Sequence, residues 1–347
     1  MPTLYVTEPG AVVRKQAGSL IITSGGGSPS HDNRARSPRT TLLEVEPHRL
    51  EMIGLVGRVN MTAGAMRMCL KSGIAVSWLT RGGALLGRLV PELSRTADLR
   101  LHQFRTIENT AYAMELGRCF IDAKLANATA LLSALRSNRP GEPRLSQSIA
   151  HLGDLRERVS DATDRDTLMG LEGEGAACYF SVLGLAFSGD IKFSARRRRP
   201  PPDPANALLS LGYVLLTNFI AGILEARGFD PYLGVLHTPR SGRPSLALDL
   251  IEEFRHPVVD RFVLRLSNRR QFRPDCFETD PKTSGTRLKR DSLKKFFHEW
   301  EAMLDARMAG LSVDISVEQA LQTQADRLAN HIRGREPYRP RLLREAE

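Results

Sequence analysis

The stretch LHQFRTIENTAYAMELGRCFIDAKLANATALLSALRS, residues 101–137, decides the fold because the sequence pattern changes there. Its apolar residues recur at steps of three and four, which is the spacing of one face of an α-helix. The stretch NALLSLGYVLLTNFIAGILEARG, residues 206–228, repeats the pattern and ends on a glycine, a common helix terminator. DSLKKFFHEWEAMLDARM and VEQALQTQADRLANHIRG continue it toward the C-terminus. From about Asp98 onward, the sequence predicts helices.

The residues before this stretch form short runs that are typical of strands. These runs are LYVTEP, AVVRKQ, SLIIT, TTLLEVEP, IGLVGRV, IAVSWLT and ALLGRLV, separated by Gly, Pro or polar turns. MTAGAMRMCLKS, within residues 61–72, predicts a single helix among them. We therefore predict an α+β fold with two domains. A small N-terminal β-rich domain (residues 1–90) is followed by a linker (91–98) and a larger all-α domain (99–347).

The charge balance points to a polyanionic partner. The chain carries 49 Lys and Arg residues against 39 Asp and Glu residues, a formal net charge of +10. Lys and Arg that neutralise phosphates release condensed counterions, so a basic excess with clustered arginines favours nucleic acid as the partner.

The cysteines and the N-terminus indicate the compartment. Cys69, Cys119, Cys178 and Cys276 are scattered and form no CxxC pair, which favours a reducing cytoplasm over a zinc site or disulfides. The N-terminus lacks the pattern of a secretory signal, and no uninterrupted apolar run reaches the roughly 18 residues of a membrane span. We expect a cytoplasmic protein with no membrane segment. The polar insert at residues 24–39 is expected to be a mobile loop.

Acidic residues interrupt the apolar run in LHTPRSGRPSLALDLIEEFRHPVVD, residues 236–260. As a helix, SLALDLIEEF has a buried stripe at Ala247, Leu250, Ile251 and Phe254. Asp249 and Glu252 then neighbour one another on the opposite side. Either this side faces water, or it holds a divalent cation between the two carboxylates. The spacing favours the solvent-facing interpretation and does not distinguish Glu252 from Glu253.

Three other segments have two interpretations each. His237 precedes a turn-rich loop and is either a capping or core residue or a metal ligand. In GLEGEGAACYF, residues 170–180, Glu172 and Glu174 alternate with glycines, which indicates either a helix start or close approach of a backbone or ligand. The run Arg196 to Arg199, followed by prolines, is either a solvated loop or a phosphate-binding loop, and Asp203 is a plausible cap for the next helix.

These segments occur in one order: the G-x-E-G glutamate before A-A-x-Y-F, the Arg/Pro loop with N-A-L-L-S-x-G-Y, P-Y-L-G-x-L-H, and R-P-S-L-A-L-D-L-x-E-E-F-R. That order resembles the CRISPR-associated adaptation integrases, and so do LYVTEPG, HRLEMIGLVGRVNMT, SGIAVSWLTRGGALLGRL and GREPYRP. The likeness covers nearly the whole chain. It implies that the N-terminal β domain dimerises and that the helical domain is catalytic and binds DNA.

The resemblance implies the site residues one by one. The metal-binding glutamate of the family corresponds to Glu172, its histidine to His237, and its acidic pair to Asp249 and Glu252. Mg²⁺ or Mn²⁺ is the implied cofactor, with Glu172, His237 and Glu252 as ligands and Asp249 as a supporting carboxylate. The insert at residues 24–39 is longer than the short turn expected in the family, and its role is unknown.

The implied chemistry is that of a metal-dependent DNA endonuclease and integrase. A 3′-hydroxyl of the incoming DNA attacks a phosphodiester at the repeat boundary, so spacer DNA is inserted into the CRISPR array by transesterification. The implied partners are double-stranded DNA (prespacer and CRISPR repeat), a second copy of the chain and a small ferredoxin-like adaptation protein. Eight basic residues are predicted to contact DNA phosphates: Arg196, Arg197, Arg198, Arg199, Arg240, Arg243, Lys294 and Lys295.

Two other functions stay open at this point. One is a metal-dependent nuclease that acts on branched or repair DNA without integration, because it would use the same ligands. The other is a non-catalytic DNA-binding scaffold whose acidic residues form a solvated face.

Overall fold

The computed structural model describes residues 3–24, 40–92, 97–281, 283–307 and 315–343. It divides into two compact units. The first is Met1–Leu93 with Leu293–Asp305, and the second is Ser94–Ser292 with Ala306–Glu347. The predicted fold class is confirmed, since a strand-rich N-terminal region precedes a mostly helical one. Nearly all of the insert at residues 24–39 lies outside the described residues.

The first unit contains two four-stranded sheets in its described part. Its strands are β1 Thr3–Val6, β2 Val12–Gln16, β3 Ser19–Thr23, β4 Thr41–Val45, β5 Met52–Val56, β6 Asn60–Met61, β7 Ala75–Leu79 and β8 Leu85–Leu89. One sheet has the order β1-β5-β7-β8 and the other β4-β3-β2-β6. Helix α1, Ala63–Lys71, is the single helix predicted among the strands, and the Thr62 side chain caps it. Buried aliphatic residues such as Ile53, Leu55 and Val76 form the core.

The second unit is built mainly from helices in its described part. They are α2 Ala97–Glu108, α3 Thr110–Ser137, α4 Pro143–Asp161, α5 Arg165–Leu183, α6 Pro204–Arg227, α7 Ser245–Leu250, α8 Arg261–Asn268, the start of α9 Arg290–Asp305, and α10 Val317–Ile332. A short antiparallel hairpin, β9 Phe277–Thr279 with β10 Thr286–Leu288, precedes α9. The helical stretch at residues 101–137 breaks at Asn109, whose side chain accepts a hydrogen bond from the Tyr112 N–H and caps α3.

Most of α9, residues 293–305, groups with the first unit, whereas the predicted helical domain runs over 99–347. The reason is its packing against β1. The Phe297 ring lies 4.7 Å from the Tyr5 ring, Glu301 accepts a hydrogen bond from the Tyr5 N–H, and Lys294 forms an ion pair with Glu8. These partners lie almost 300 residues away in sequence, so helical periodicity alone does not reveal them.

Helix α6 is the main core helix of the second unit. It is long and apolar enough to cross a membrane by length and composition, but 72% of its apolar window is buried within the protein. As predicted, Asp203 caps its start by accepting a hydrogen bond from the Asn206 N–H, and Gly228 ends it in the left-handed conformation with φ +93°. Burial in the core therefore accounts for its apolar composition.

Candidate active site

The acidic segment after His237 is buried on all sides. The predicted single helix is α7 followed by a 3₁₀ turn, Ile251–Glu253, and a π-helical turn, Arg255–Asp260, which runs into α8. The side chains of Asp249, Glu252 and Glu253 are 0%, 1% and 0% exposed. The solvent-facing interpretation of this segment is therefore wrong. Buried carboxylates need compensating partners, and each of the three has a different set.

Asp249 organises the loop that carries His237. One of its carboxylate oxygens accepts the backbone N–H groups of Val235 (2.7 Å) and Leu236 (3.1 Å). The other lies 2.8 Å from the backbone nitrogen of His237 and 2.7 Å from Nδ1 of its ring. A Cβ on Gly234 would lie 2.6 Å from Asp249 Oδ2, so glycine is required for this close approach. With Nδ1 held by the carboxylate, Nε2 is the ring nitrogen left for a ligand.

Glu172 and Glu252 meet at Lys124. Glu172 lies in the middle of α5, so the helix-start interpretation is wrong. Lys124, on α3, donates a hydrogen bond to Glu172 Oε1 and lies 2.8 Å from Glu252 Oε2. Gly175 shares a face of α5 with Glu172, and a Cβ there would lie 2.3 Å from Leu125 Cδ2. This glycine lets α5 pack close to α3 and brings the Glu172 carboxylate to the lysine.

Arg255 is the second cation at Glu252. Its Nε donates to Glu252 Oε2 at 2.8 Å. Burial would raise the pKa of Glu252, but the charges of Arg255, Lys124 and His237 outweigh burial and hold that pKa below its ordinary value. The structure brings Glu172 and Glu252 to the same lysine and His237 to Asp249, with the His237 imidazole within electrostatic range of Glu252.

Glu253 belongs to a different hydrogen-bond network from Glu252. It accepts hydrogen bonds from the Tyr338 hydroxyl, Gln324 Nε2 (2.8 Å) and the Arg341 backbone N–H (2.8 Å). Burial raises the pKa of Glu253 to about 7, against the lowering effect of these hydrogen bonds. Glu253 thus anchors the C-terminal segment, and Glu252 is the one that faces Glu172.

An arginine-rich cavity of about 550 Å³ borders His237. Its lining, within the described part of the chain, carries five arginines and no Asp or Glu: Arg196, Arg198, Arg199, Arg243 and Arg255. Arg255 is paired with Glu252, and Arg196 donates to Asn206 and Ser210. Arg198, Arg199 and Arg243 also line the cavity, and guanidinium groups bind phosphates well because each has a fork of N–H donors. The cavity therefore favours a phosphate-bearing ligand beside the imidazole.

Not all the predicted DNA-binding residues line this cavity. Arg197 and Arg240 lie on the same two loops, exposed but outside the lining. Arg196 is partly committed to the protein, since it donates to Asn206 and Ser210. Lys294 and Lys295 lie on the part of α9 that belongs to the first unit.

Sequence reasoning missed a further buried acid, Asp260, which supports the cavity wall through Tyr213. It accepts hydrogen bonds from the hydroxyls of Tyr179 and Tyr213 and lies 2.8 Å from His256 Nδ1. Burial, and then Asp260, raise the pKa values of both tyrosines well above normal, so their hydroxyls remain donors. The Arg255 guanidinium lies 4.9 Å from the centre of the Tyr213 ring, a cation–π contact. Two sequence features could have indicated this network: Tyr213 at the end of NALLSLGY and Asp260 at the end of FRHPVVD.

The chemistry of the donors fits a hard divalent cation. Two carboxylates and an imidazole suit Mg²⁺ or Mn²⁺, and the Lys124 ammonium already places positive charge between Glu172 and Glu252. In the arrangement that the described residues adopt, no group of three or more His, Cys, Asp or Glu side chains could hold a metal ion. A cation that engaged both glutamates would have to displace Lys124.

A buried cluster of acids and an imidazole beside a basic cavity is typical of proteins that act on nucleic-acid phosphates. The family model described as "CRISPR associated protein Cas1" matches residues 4–302, and the chain therefore belongs to the Cas1 family. It is 32% identical over 344 residues to a "CRISPR-associated endonuclease Cas1 3" of Thermus thermophilus, with 98% of this chain and 97% of the relative covered.

Two solved structures share the fold. A "Casposase bound to integration product" matches with a TM-score of 0.83 at 22% identity, covering 100% of this chain and 95% of that one. A chain of a "Cas6-RT-Cas1--Cas2 complex" matches with a TM-score of 0.77 at 24% identity, covering 99% of this chain and 36% of that one. The predicted family is thus confirmed.

Proposed function

We propose that this chain is a metal-dependent DNA integrase and endonuclease of CRISPR adaptation, which inserts spacer DNA at a repeat boundary by transesterification. The arginine-lined cavity that borders His237, next to the buried Glu172 and Glu252 carboxylates, is the observation that carries the proposal. A relative that is 32% identical over almost its full length and is named an endonuclease supports it.

We infer that Glu172, Glu252 and His237 would hold Mg²⁺ or Mn²⁺. When bound, the ion would supply positive charge to the phosphoryl group and lower the pKa of the attacking hydroxyl. Asp249 fixes the His237 ring so that Nε2 is the nitrogen available.

The basic residues would hold the DNA backbone during strand transfer. Arg198, Arg199 and Arg243 line the cavity and would bind a phosphodiester through their guanidinium groups. The 3′-oxygen of the incoming strand forms a bond to phosphorus, the bond from phosphorus to the repeat's own 3′-oxygen breaks, and the proton lost by the attacking hydroxyl is balanced by one gained by the departing oxygen. The number of phosphodiester bonds is unchanged, so the reaction needs no external energy source.

The proposed partners are double-stranded DNA, a second copy of this chain that pairs through the strand-rich unit, and a small ferredoxin-like adaptation protein. The net charge of +10 and the arginine-lined cavity support DNA as a partner. The solved structure named "Cas6-RT-Cas1--Cas2 complex" contains a chain of the same fold in complex with Cas2, which supports a further protein partner for this chain.

The test is an integration assay with junction mapping. Purified protein is incubated with Mn²⁺, a short duplex with free 3′ ends and a supercoiled plasmid that carries the repeat, and the joined products are sequenced. Junctions at the repeat boundary are expected, and His237→Ala should remove them. His151→Ala, at a partly exposed histidine paired with Glu174, is the matched control and should keep them. Cleaved but unjoined products would indicate a nuclease without integration, and a protein that bound DNA but neither reacted nor bound Mn²⁺ would be a scaffold.

A further inference from the structure

Lys124 is a buried charged residue in the middle of α3. Its side chain is 4% exposed, and the nearby α3 residues Ile121, Leu125 and Ala128 are buried as well. Lysine is almost never so deeply buried unless it is paired, because its ammonium loses its hydration. Here it is paired twice, with Glu172 and with Glu252.

The two carboxylates that bind Lys124 come from different elements. Glu172 lies on α5 and Glu252 on the 3₁₀ turn after α7. Glu252 already has a cation in Arg255, whose Nε lies 2.8 Å from Oε2, so Lys124 is not needed to neutralise Glu252 alone. Its distinctive effect is to neutralise Glu172 and to hold the two glutamates together. This is the same electrostatic task that a divalent cation would perform between them.

We propose that Lys124 is a built-in competitor of the divalent cation: its ammonium occupies the position between Glu172 and Glu252 in the metal-free protein, and metal must displace it. The inference rests on the proposed metal dependence. A cation entering this position would meet the Lys124 charge at close range in a buried environment, where like charges repel strongly. Lys124 thus keeps the carboxylates assembled without metal and weakens metal affinity at the same time.

The test compares Mn²⁺ affinity in three purified proteins, with free Mn²⁺ measured by electron paramagnetic resonance. The proteins are the wild type, Lys124→Met and Lys192→Met. Lys192→Met is the control. Lys192 is an exposed lysine of the same unit that donates to the Gly189 carbonyl, so this substitution removes the same formal charge at a position away from the site. Thermal unfolding of each protein with and without Mn²⁺ gives a second readout that does not depend on catalysis.

We expect Lys124→Met to bind Mn²⁺ at least roughly tenfold more tightly than the wild type, and Lys192→Met to match the wild type. Without metal, Lys124→Met should melt lower than the wild type, because the glutamates then repel each other, and Mn²⁺ should raise its Tm by more. Equal or weaker Mn²⁺ binding by a folded Lys124→Met would overturn the inference and leave the proposed function standing. Failure of both the wild type and Lys124→Met to bind Mn²⁺ would overturn both.

A second variant covers the case in which Lys124→Met does not fold. Lys124→Gln keeps a hydrogen-bonding side chain of similar reach without the charge. It should also bind Mn²⁺ more tightly than the wild type, and equal affinity would overturn the inference in the same way.

Discussion

Replacing Asp249 with asparagine tests how the loop before α7 is held. The two oxygens of Asp249 each serve two groups: one serves the N–H groups of Val235 and Leu236, and the other serves the N–H and Nδ1 of His237. An amide has one oxygen. With its NH₂ group toward Val235 and Leu236, two backbone N–H groups lack an acceptor; with it toward His237, one backbone N–H lacks an acceptor and Nδ1 can accept from the amide in its other tautomer. The second orientation costs less, and each buried donor left without a partner costs about 1–3 kcal/mol. We expect Asp249→Asn to lower the free energy of unfolding by about 1–3 kcal/mol.

The assay is urea unfolding followed by far-UV circular dichroism, with thermal unfolding as a second measure. For a unit of this size, a loss of about 2 kcal/mol corresponds to a fall in Tm of about 4–8 °C. Asp326→Asn is the matched control. Asp326 is 61% exposed and pairs with Arg227 on the surface, and such a pair contributes less than about 1 kcal/mol. If Asp249→Asn were as stable as Asp326→Asn, the proposed role of Asp249 in holding the loop would be refuted.

Three further outcomes are expected. Glu172→Gln should abolish strand transfer in the junction assay, because this carboxylate is a proposed metal ligand. It should retain DNA binding, measured by fluorescence anisotropy, because the carboxylate is not a phosphate contact. A normal rate of joining would contradict the assignment of Glu172. Arg198→Ala and Arg243→Ala should each reduce the slope of log binding constant against log salt by about 1, and an unchanged slope would remove that arginine from the DNA contact surface. Burial, followed by the Glu115 charge, raises the pKa of Cys119 to about 11. The rate at which iodoacetamide alkylates Cys119, followed by mass spectrometry, should therefore rise about tenfold per pH unit between pH 8 and 10. A rate independent of pH would contradict this.

Much of the fold could be predicted from local pattern. The strand runs and the single helix α1 were placed correctly because alternation and helical periodicity are properties of consecutive residues. The transfer of residues 293–305 to the first unit could not be predicted, since the partners of Phe297 and Glu301 lie at Tyr5. The break at Asn109 was missed because a capping asparagine inside an apolar repeat does not interrupt the repeat.

The candidate site could be predicted in part. The order of the motifs indicated Glu172, His237, Asp249 and Glu252, and the structure gathers these four. Spacing could not distinguish Glu252 from Glu253, because the two residues are adjacent in sequence. They differ in their partners: Glu252 binds Lys124 and Arg255, whereas Glu253 binds the C-terminal segment. Lys124 was missed for a related reason: a lone lysine in an amphipathic helix usually faces water, and burial against Glu172 depends on how α3 and α5 pack.

Anomalous X-ray scattering from a crystal of the protein soaked in Mn²⁺ tests most directly whether Glu172, Glu252 and His237 form one cation site. We predict an anomalous peak between the two carboxylates, in contact with the imidazole, with the Lys124 ammonium moved away from its present position. A peak elsewhere, or Lys124 still bridging Glu172 and Glu252 with no peak beside them, would contradict it.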